Sequence, residues 1–312
     1  MKNNFGDIQE LLRKRADLQT RLNLLPYSGS VETKENNSGR YLYVRKREFD
    51  RYTSQYVDKY SEDLYQTLLR YTREARELKK ELRKVEKNLA ELGYTETELS
   101  PRVLLNLEFA RANMKGNIYD QAVLEGVATT FPQTETIIDN GKVSGMTATD
   151  VQKILNLKHA WEFIMDKDVI QAKSDFYVLS YIARLVNEGF YEEGGRLRAV
   201  PVKIGGSSYV PPLPIEVDVK EKIDSIVNSN KDAIDKAIAL CLYCMKTQVF
   251  NDGNKRASVI FANHYLISQG QGLIVIPEKD VPEFKRLLIE YYENKDDGKT
   301  ANFLKSKCWQ KF

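Results

Sequence analysis

Histidine is almost missing from this sequence: His159 and His264 are the only two in 312 residues. Any chemistry that needs an imidazole base therefore has two candidates. Cysteine is scarce as well. Cys241, Cys244 and Cys308 make no even disulfide framework, which fits a reducing compartment. Cys241 and Cys244 form a C-x-x-C inside the apolar run 237–245, and a zinc site needs two more ligands than that pair supplies. They read as buried helix thiols. No apolar stretch reaches transmembrane length, and the start of the chain lacks a signal-peptide core, so the expectation is a cytoplasmic protein with no membrane partner. Neither sign of charge dominates: 47 Lys and Arg against 44 Asp and Glu leave a net charge of +3. That balance argues against non-specific nucleic-acid binding.

What is present divides the chain in two, with 42% hydrophobic content, enough for a real core. Residues 1–97 read as a coiled-coil helical hairpin with an inserted β-hairpin, and 98–312 as a larger helical domain. From Leu64 the apolar positions run Leu68, Tyr71, Ala75, Leu78, Leu82, Val85, Leu89 and Leu92, a heptad seam that Gly93 stops. Ile8, Leu11, Leu18, Leu22 and Leu25 form a shorter stripe interrupted by Arg15. The two can zip antiparallel within the chain, or the seam can pair with a second copy as a homodimer; the sequence does not choose. Between them, 26–39 reads as loop, and 40–47 and 52–57 as the strands of a hairpin around 48–51. Its tyrosines and cations could stack on nucleic acid or meet an acidic protein, but the favoured reading is a small hairpin with one face packed on the helices and a solvated basic face.

From Ser100 on, helices dominate the pattern: 102–114, 118–127, 149–165, 174–188, 217–228, 231–246, 255–269, 281–294 and 300–307. Thr147 and Thr149 supply N-cap chemistry, Gly270 and Gly272 end the helix from 255, and Pro277 keeps 273–276 from being helical. Residues 200–204, 205–207 and 208–210 read as strand, tight turn and strand, followed by Pro211 and Pro212.

The densest chemistry lies in Thr247-Gln248-Val249-Phe250-Asn251-Asp252-Gly253-Asn254-Lys255-Arg256. Gly253 permits backbone geometry that turns successive N–H groups into one anion-attracting concavity. The helix that follows adds unpaired N–H groups and its positive dipole end. Lys255 and Arg256 supply charge, with forked donors on Arg256. Asp252 is placed to hold Mg²⁺ against phosphate oxygens, and Phe250 to pack inward. Residue types alone leave open a plain polar turn that caps a helix.

This run resembles the signature loop of the Fic/Doc family, His-x-Phe-x-Asp/Glu-Gly-Asn-Gly/Lys-Arg, with a further arginine three residues on in many members. Phe250, Asp252, Gly253, Asn254, Lys255 and Arg256 fit; Gln248 stands at the histidine and Val259 at the distal arginine. Residues 181–214 are similar to the family's helix and the β-hairpin flap after it, and Thr129 to Gln133 is similar to its inhibitory helix, with Gln133 where a glutamate is usual. A second register puts Glu135 as the acid, with Phe131 at the hydroxyl position.

The resemblance implies a mainly α, helical Fic fold with a β-hairpin flap, and a protein that transfers AMP from ATP to a hydroxyl of a target protein. Asp252, Gly253, Asn254, Lys255 and Arg256 would bind the nucleotide, Asp252 with Mg²⁺, and Val202, Lys203, Ile204 and Gly205 of the flap would dock the target. The family's histidine is the general base, and a carboxamide cannot take that proton. Losing such a base costs roughly 10² to 10⁴ in rate. His264 lies about 12 Å beyond Arg256 along a helix, too far to substitute. A site without the distal arginine is expected to prefer a nucleotide with fewer phosphates. Two classes follow: a degenerate protein adenylyltransferase with weak or absent transfer, or a pseudoenzyme that senses nucleotide or binds a partner as a regulatory, antitoxin-like module.

Overall fold

The computed structural model describes residues 5–48, 51–94 and 98–312. It separates into two compact units, Met1–Thr97 and Glu98–Phe312.

In the first unit, α1 (Phe5–Leu24) and α2 (Glu62–Glu91) pair through Leu12 and Leu18 of one and Val85 and Leu89 of the other. They run antiparallel, since Lys14 meets Glu81 while Ser28, farther along the chain, meets Lys79. Ser61 caps α2 by accepting from the Leu64 N–H at 3.3 Å. The connection is a three-stranded antiparallel sheet, β1 (Ser30–Asn36), β2 (Gly39–Glu48) and β3 (Arg51–Lys59), in the order β1-β2-β3. The expected hairpin is thus corrected: Ser30–Asn36 is a strand and not loop. Its sequence is too polar to signal one. Val31 and Thr33 stand opposite Val44 and Leu42, and Leu42 and Val44 bury against Leu68 of α2. Burial supplied by the neighbouring strand recruits a segment that has little of its own. Residues 49–50 of the expected hairpin turn lie outside the described residues.

The second unit is helical: α3 (Pro101–Leu124), α4 (Phe131–Ile138), α5 (Ala148–Ile164), α6 (Lys167–Gln171), α7 (Phe176–Val186), α8 (Glu216–Val227), α9 (Ala233–Thr247), α10 (Asn254–Ser268), α11 (Val281–Tyr292) and α12 (Lys299–Phe303). The expected helices 102–114 and 118–127 are one helix, α3. Gly116 interrupts the propensity by about 1 kcal/mol, which burial of Asn117, Ile118, Gln121 and Ala122 outweighs. A further difference is β4 (Leu273–Ile274), paired with β5 (Trp309–Gln310) where the sequence foresaw only a non-helical run before Pro277.

The core is organised on α10. Residues Arg256 to Ile267 are all buried, so this helix has no solvated face and sits among its neighbours. Its polar side chains are matched to partners. Asn263 exchanges two 2.8 Å hydrogen bonds with the Ile274 backbone. His264 donates from Nε2 to the Val169 carbonyl at 2.8 Å and accepts at Nδ1 from the Ser174 hydroxyl at 2.8 Å. Burial pulls its pKa below the usual imidazole value. Among the described residues no helix is long and apolar enough to cross a membrane.

Candidate functional site

The 247–256 run joins α9 to α10. Gln248 ends α9 in the left-handed region at φ 49°, and Val249 and Phe250 then turn inward to 0% and 1% exposure. Phe250 bridges to Leu197, and the Arg198 N–H donates to the Val249 carbonyl at 3.0 Å, so the loop enters along the segment that leads into the flap. Gly253 precedes α10 at φ 72°, and an added Cβ would lie 2.7 Å from Asn187 Oδ1. Both the dihedral and the close approach require glycine.

Several side chains of the loop are spent on the loop itself. Asn254 accepts from the Phe250 N–H at 2.9 Å and donates to the Phe250 carbonyl at 2.7 Å. It also donates to Gln248 Oε1 at 3.2 Å, while Gln248 Nε2 donates to the Met245 carbonyl at 2.6 Å. Asn254 thus serves the loop with its side chain while still lining an adjoining cavity. Its carboxamide closes the turn, which leaves its backbone N–H, at the start of α10, for an anion.

Arg256 is committed more fully to protein partners. It is 2% exposed and donates to the Val186 carbonyl at 2.7 Å, with Asn187 Oδ1 at 3.4 Å and Asp252 Oδ2 at 3.3 Å. It is the pin that holds the end of α7 to the start of α10, and it does not line the adjoining cavity.

That cavity holds about 400 Å³ and is lined by Asp252, Gly253, Asn254, Lys255 and Gln248 from the loop, by Lys203, Ile204 and Gly205 from the flap segment, and by one face of α11. Val202 is not part of the lining. Leu288, Ile289 and Tyr292 give the α11 side an apolar surface next to Lys285. Such a mixture of apolar wall and few polar groups is the usual make-up of a small-molecule site.

The flap segment reverses direction at Ile204–Ser207, where the Ser207 N–H donates to the Ile204 carbonyl at 3.2 Å. Its two limbs do not pair as the expected strands; residues 200–210 carry no ladder. They are held from outside. Arg198, 2% exposed, donates to the carbonyls of Gln248 at 2.6 Å, Val200 at 3.0 Å and Pro211 at 3.0 Å, and also to that of Pro212. One guanidinium thus ties both limbs to the end of α9. At the tip, Glu293 accepts from Ser207 Oγ and from the N–H and Oγ of Ser208. Lys295 and these donors hold its carboxyl down at about 2.

A residue missed in the sequence completes the site. Glu125, just past α3, lines the cavity with its carboxylate 3.5 Å from Lys255 Nζ and 3.6 Å from Arg256 Nε. Glu125 Oε1 and Arg256 Nε are both buried without a hydrogen-bond partner. Gln133 and Glu135, the two positions considered for the inhibitory acid, line no part of this cavity. Gln133 forms a capping box with Thr130 at the start of α4, and Glu135 is paired with Lys115 at 3.1 Å. The signal for Glu125 was the adjacent pair Glu125-Gly126, which fits the acidic end of the inhibitory pattern with Gln121 at its hydroxyl position. Gln121 is itself a joint, donating to the Arg256 carbonyl at 2.8 Å and accepting from Trp161 Nε1 at 2.9 Å.

The second unit is thus helical, with a glycine-centred loop at the start of α10 and the flap segment beside it. Residues 175–266 match the family model described as Fic/DOC family, so this stretch of the second unit carries a Fic/Doc domain. Among characterised relatives it is 26% identical over 216 residues to the protein adenylyltransferase Fic of Drosophila willistoni, covering 65% of this chain and 42% of that protein. The chain thus matches less than half the length of that relative. Among solved structures, a Fic family protein from Desulfovibrio desulfuricans aligns at a TM-score of 0.51 and 17% identity, over 65% of this chain and 70% of that one. A variant Fic-1 from C. elegans aligns at 0.50 and 16% identity, over 78% and 76%. These likenesses show the helical Fic fold.

Proposed function

We propose that residues 98–312 form a nucleotide-binding Fic domain of the protein adenylyltransferase class, with residues 1–97 as a separate appended unit. In this reading ATP occupies the cavity bounded by Gly253, Lys255, the flap and α11. The observation that carries it is the cavity itself: the loop's glycine turn and Lys255 open into one space, facing an apolar wall that suits a base.

Mg²⁺ fits the donor set. Asp252 is the half-exposed carboxylate at the rim, with 52% of its side chain accessible, and Mg²⁺ is commonly bound by one or two carboxylates plus substrate phosphates. Among the described residues no group of three or more His, Cys, Asp or Glu could hold a metal by itself, so the ion would enter with the nucleotide. When bound, it neutralises phosphate charge. The chain's own residues then bind and orient: Lys255 and the α10 N-terminus face the phosphates, and the flap covers them.

The family's reaction forms a bond from a target hydroxyl to the α-phosphorus, breaks the bond to the β-phosphate and releases pyrophosphate. The hydroxyl proton needs an acceptor, and the Gln248 carboxamide offers none. Its amide is moreover committed to Met245 and its oxygen to Asn254. Transfer is therefore slow, and the proton leaves to water. The same commitment favours the second reading, a pseudoenzyme that reports nucleotide binding to a partner. In either, the unpaired flap backbone at Val202, Lys203, Ile204 and Gly205 suits an extended segment of a target protein by strand addition. The three buried thiols, with burial raising the pKa of Cys241 to about 12, fit a reducing, cytoplasmic setting.

Calorimetry with Mg-ATP, Mg-ADP and AMP tests the assignment. We expect saturable binding that Lys255→Met weakens. Absence of heat with all three nucleotides overturns the site.

A further inference from the structure

The cavity under the flap carries more positive charge than the signature loop accounts for. Lys255 comes from the loop, Lys203 from the flap and Lys285 from α11, and all three line it. Its two acids are already engaged, Asp252 with Arg256 at 3.3 Å and Glu125 with Lys255 at 3.5 Å. Lys203 and Lys285 are exposed and have no ion pair or hydrogen bond among the described residues. Two uncompensated ammonium groups lining one cavity leave it with a positive potential that a bound anion would offset.

The flap holds its lysine in position. Arg198 fixes both limbs at the root through the carbonyls of Val200 and Pro211. Glu293 fixes the tip through Ser207 and Ser208, and Lys246 lies 5.3 Å from the Tyr209 ring centroid on the returning limb. Gly206, at φ 79°, brings the turn against α11, where an added Cβ would stand 3.3 Å from Ile289 Cδ1. The flap is thus fastened to the helix that carries Lys285. By contrast Val259, the α10 position that would bear the second family arginine, is 2% exposed and apolar, and Arg256 spends its donors on protein groups.

We propose that Lys203 and Lys285 form a clamp for the terminal phosphates of a nucleoside triphosphate, supplying from the flap and α11 the charge that α10 withholds. This rests on the reading of the cavity as a nucleotide site and deepens it: the specificity runs toward more phosphates, the reverse of what the missing distal arginine alone implies.

The test is a titration of wild type, Lys203→Met, Lys285→Met and the double variant with Mg-ATP, Mg-ADP, AMP and inorganic pyrophosphate. Both lysines are exposed, so the variants are expected to fold as wild type does. Each single substitution should weaken ATP about 5- to 10-fold, the scale of one charge-assisted hydrogen bond, and AMP less than about twofold, with Lys285→Arg restoring ATP affinity. Equal losses for ATP and AMP, or none for either, overturn the clamp while leaving the nucleotide site standing. Lysine-dependent binding of pyrophosphate without binding of any nucleotide keeps the clamp and removes the nucleotide reading. Failure of wild type to bind either removes both.

Discussion

The Glu125 carboxylate lies 3.6 Å from Arg256 Nε, across the gap between the end of α3 and the start of α10, with side-chain exposures of 12% and 2%. The same carboxylate reaches Lys255 at 3.5 Å. An anion is therefore already seated where a phosphate would approach Lys255. Removing its charge while keeping its shape should favour the incoming anion. Glu125→Gln is expected to raise ATP affinity about 3- to 10-fold, the scale of one nearby charge in a partly solvated site. Isothermal titration at fixed salt measures it, and an unchanged or lower affinity would show that Glu125 does not compete with ligand.

Arg256→Ala should act first on stability. The substitution removes the 2.7 Å donor to the Val186 carbonyl, which keeps only Asn156 Nδ2 at 3.3 Å, and leaves Glu125 without its buried guanidinium. Loss of one partner of a buried charge pair costs about 3–5 kcal/mol. Urea unfolding followed by circular dichroism should show a matching fall in midpoint. A variant as stable as wild type that has nonetheless lost nucleotide would return Arg256 to the role of direct ligand.

Asn254→Ala removes both bonds to the Phe250 backbone and leaves that buried N–H and carbonyl unsatisfied. The expected cost is about 2 kcal/mol or more, with Asn254→Asp recovering only the bond from the N–H. Hydrogen exchange at Phe250 should accelerate in step with the global loss or ahead of it. Protection equal to wild type would contradict the closing role of the carboxamide.

His264 predicts a pH dependence with a definite sign. Its folded pKa is lowered by burial, whereas the unfolded value is about 6.5. Above the unfolded value neither state binds the proton. As pH falls below it, the unfolded chain takes up a proton that the folded chain refuses, so stability drops until the folded pKa is passed. The slope attributable to this group approaches about 1.4 kcal/mol per pH unit. Denaturation midpoints between pH 5 and pH 8 should show a decline on the acid side that His264→Gln flattens; the same slope in the variant would assign it to other groups.

Gln248→His restores an imidazole at a position whose left-handed φ of 49° histidine tolerates better than most residues. Transfer of labelled AMP to the protein itself or to a lysate protein should rise, by about 10²-fold or more if the base alone was missing. Wild type labelling as strongly as the variant would end the pseudoenzyme reading.

Much of this was legible in the linear pattern. The heptad stripe of α2, the helices around the loop, the need for glycine at Gly253 and the inward turn of Phe250 follow from spacing and side-chain type. Three features were not legible. Ser30–Asn36 lacks apolar alternation, and its strand exists because Leu42 and Val44 of β2 bury beside it. Glu125 was hidden because Gln121 stands four residues before it, whereas Gln133 is preceded by Thr129 at that hydroxyl position. The burial of Arg256 was hidden as well, because sequence does not tell which way a side chain leaves a helix that is buried on every side.

By itself the sequence determined the helical frame, the glycine turn and the absence of a proton acceptor at Gln248, since each is a property of residue type and local backbone. Only the tertiary structure decided which cations meet the cavity. Arg256 is drawn inward by the carbonyl at the end of α7, and Lys203 and Lys285, far apart in the chain, come to line one cavity because Arg198 and Glu293 fasten the flap beside α11.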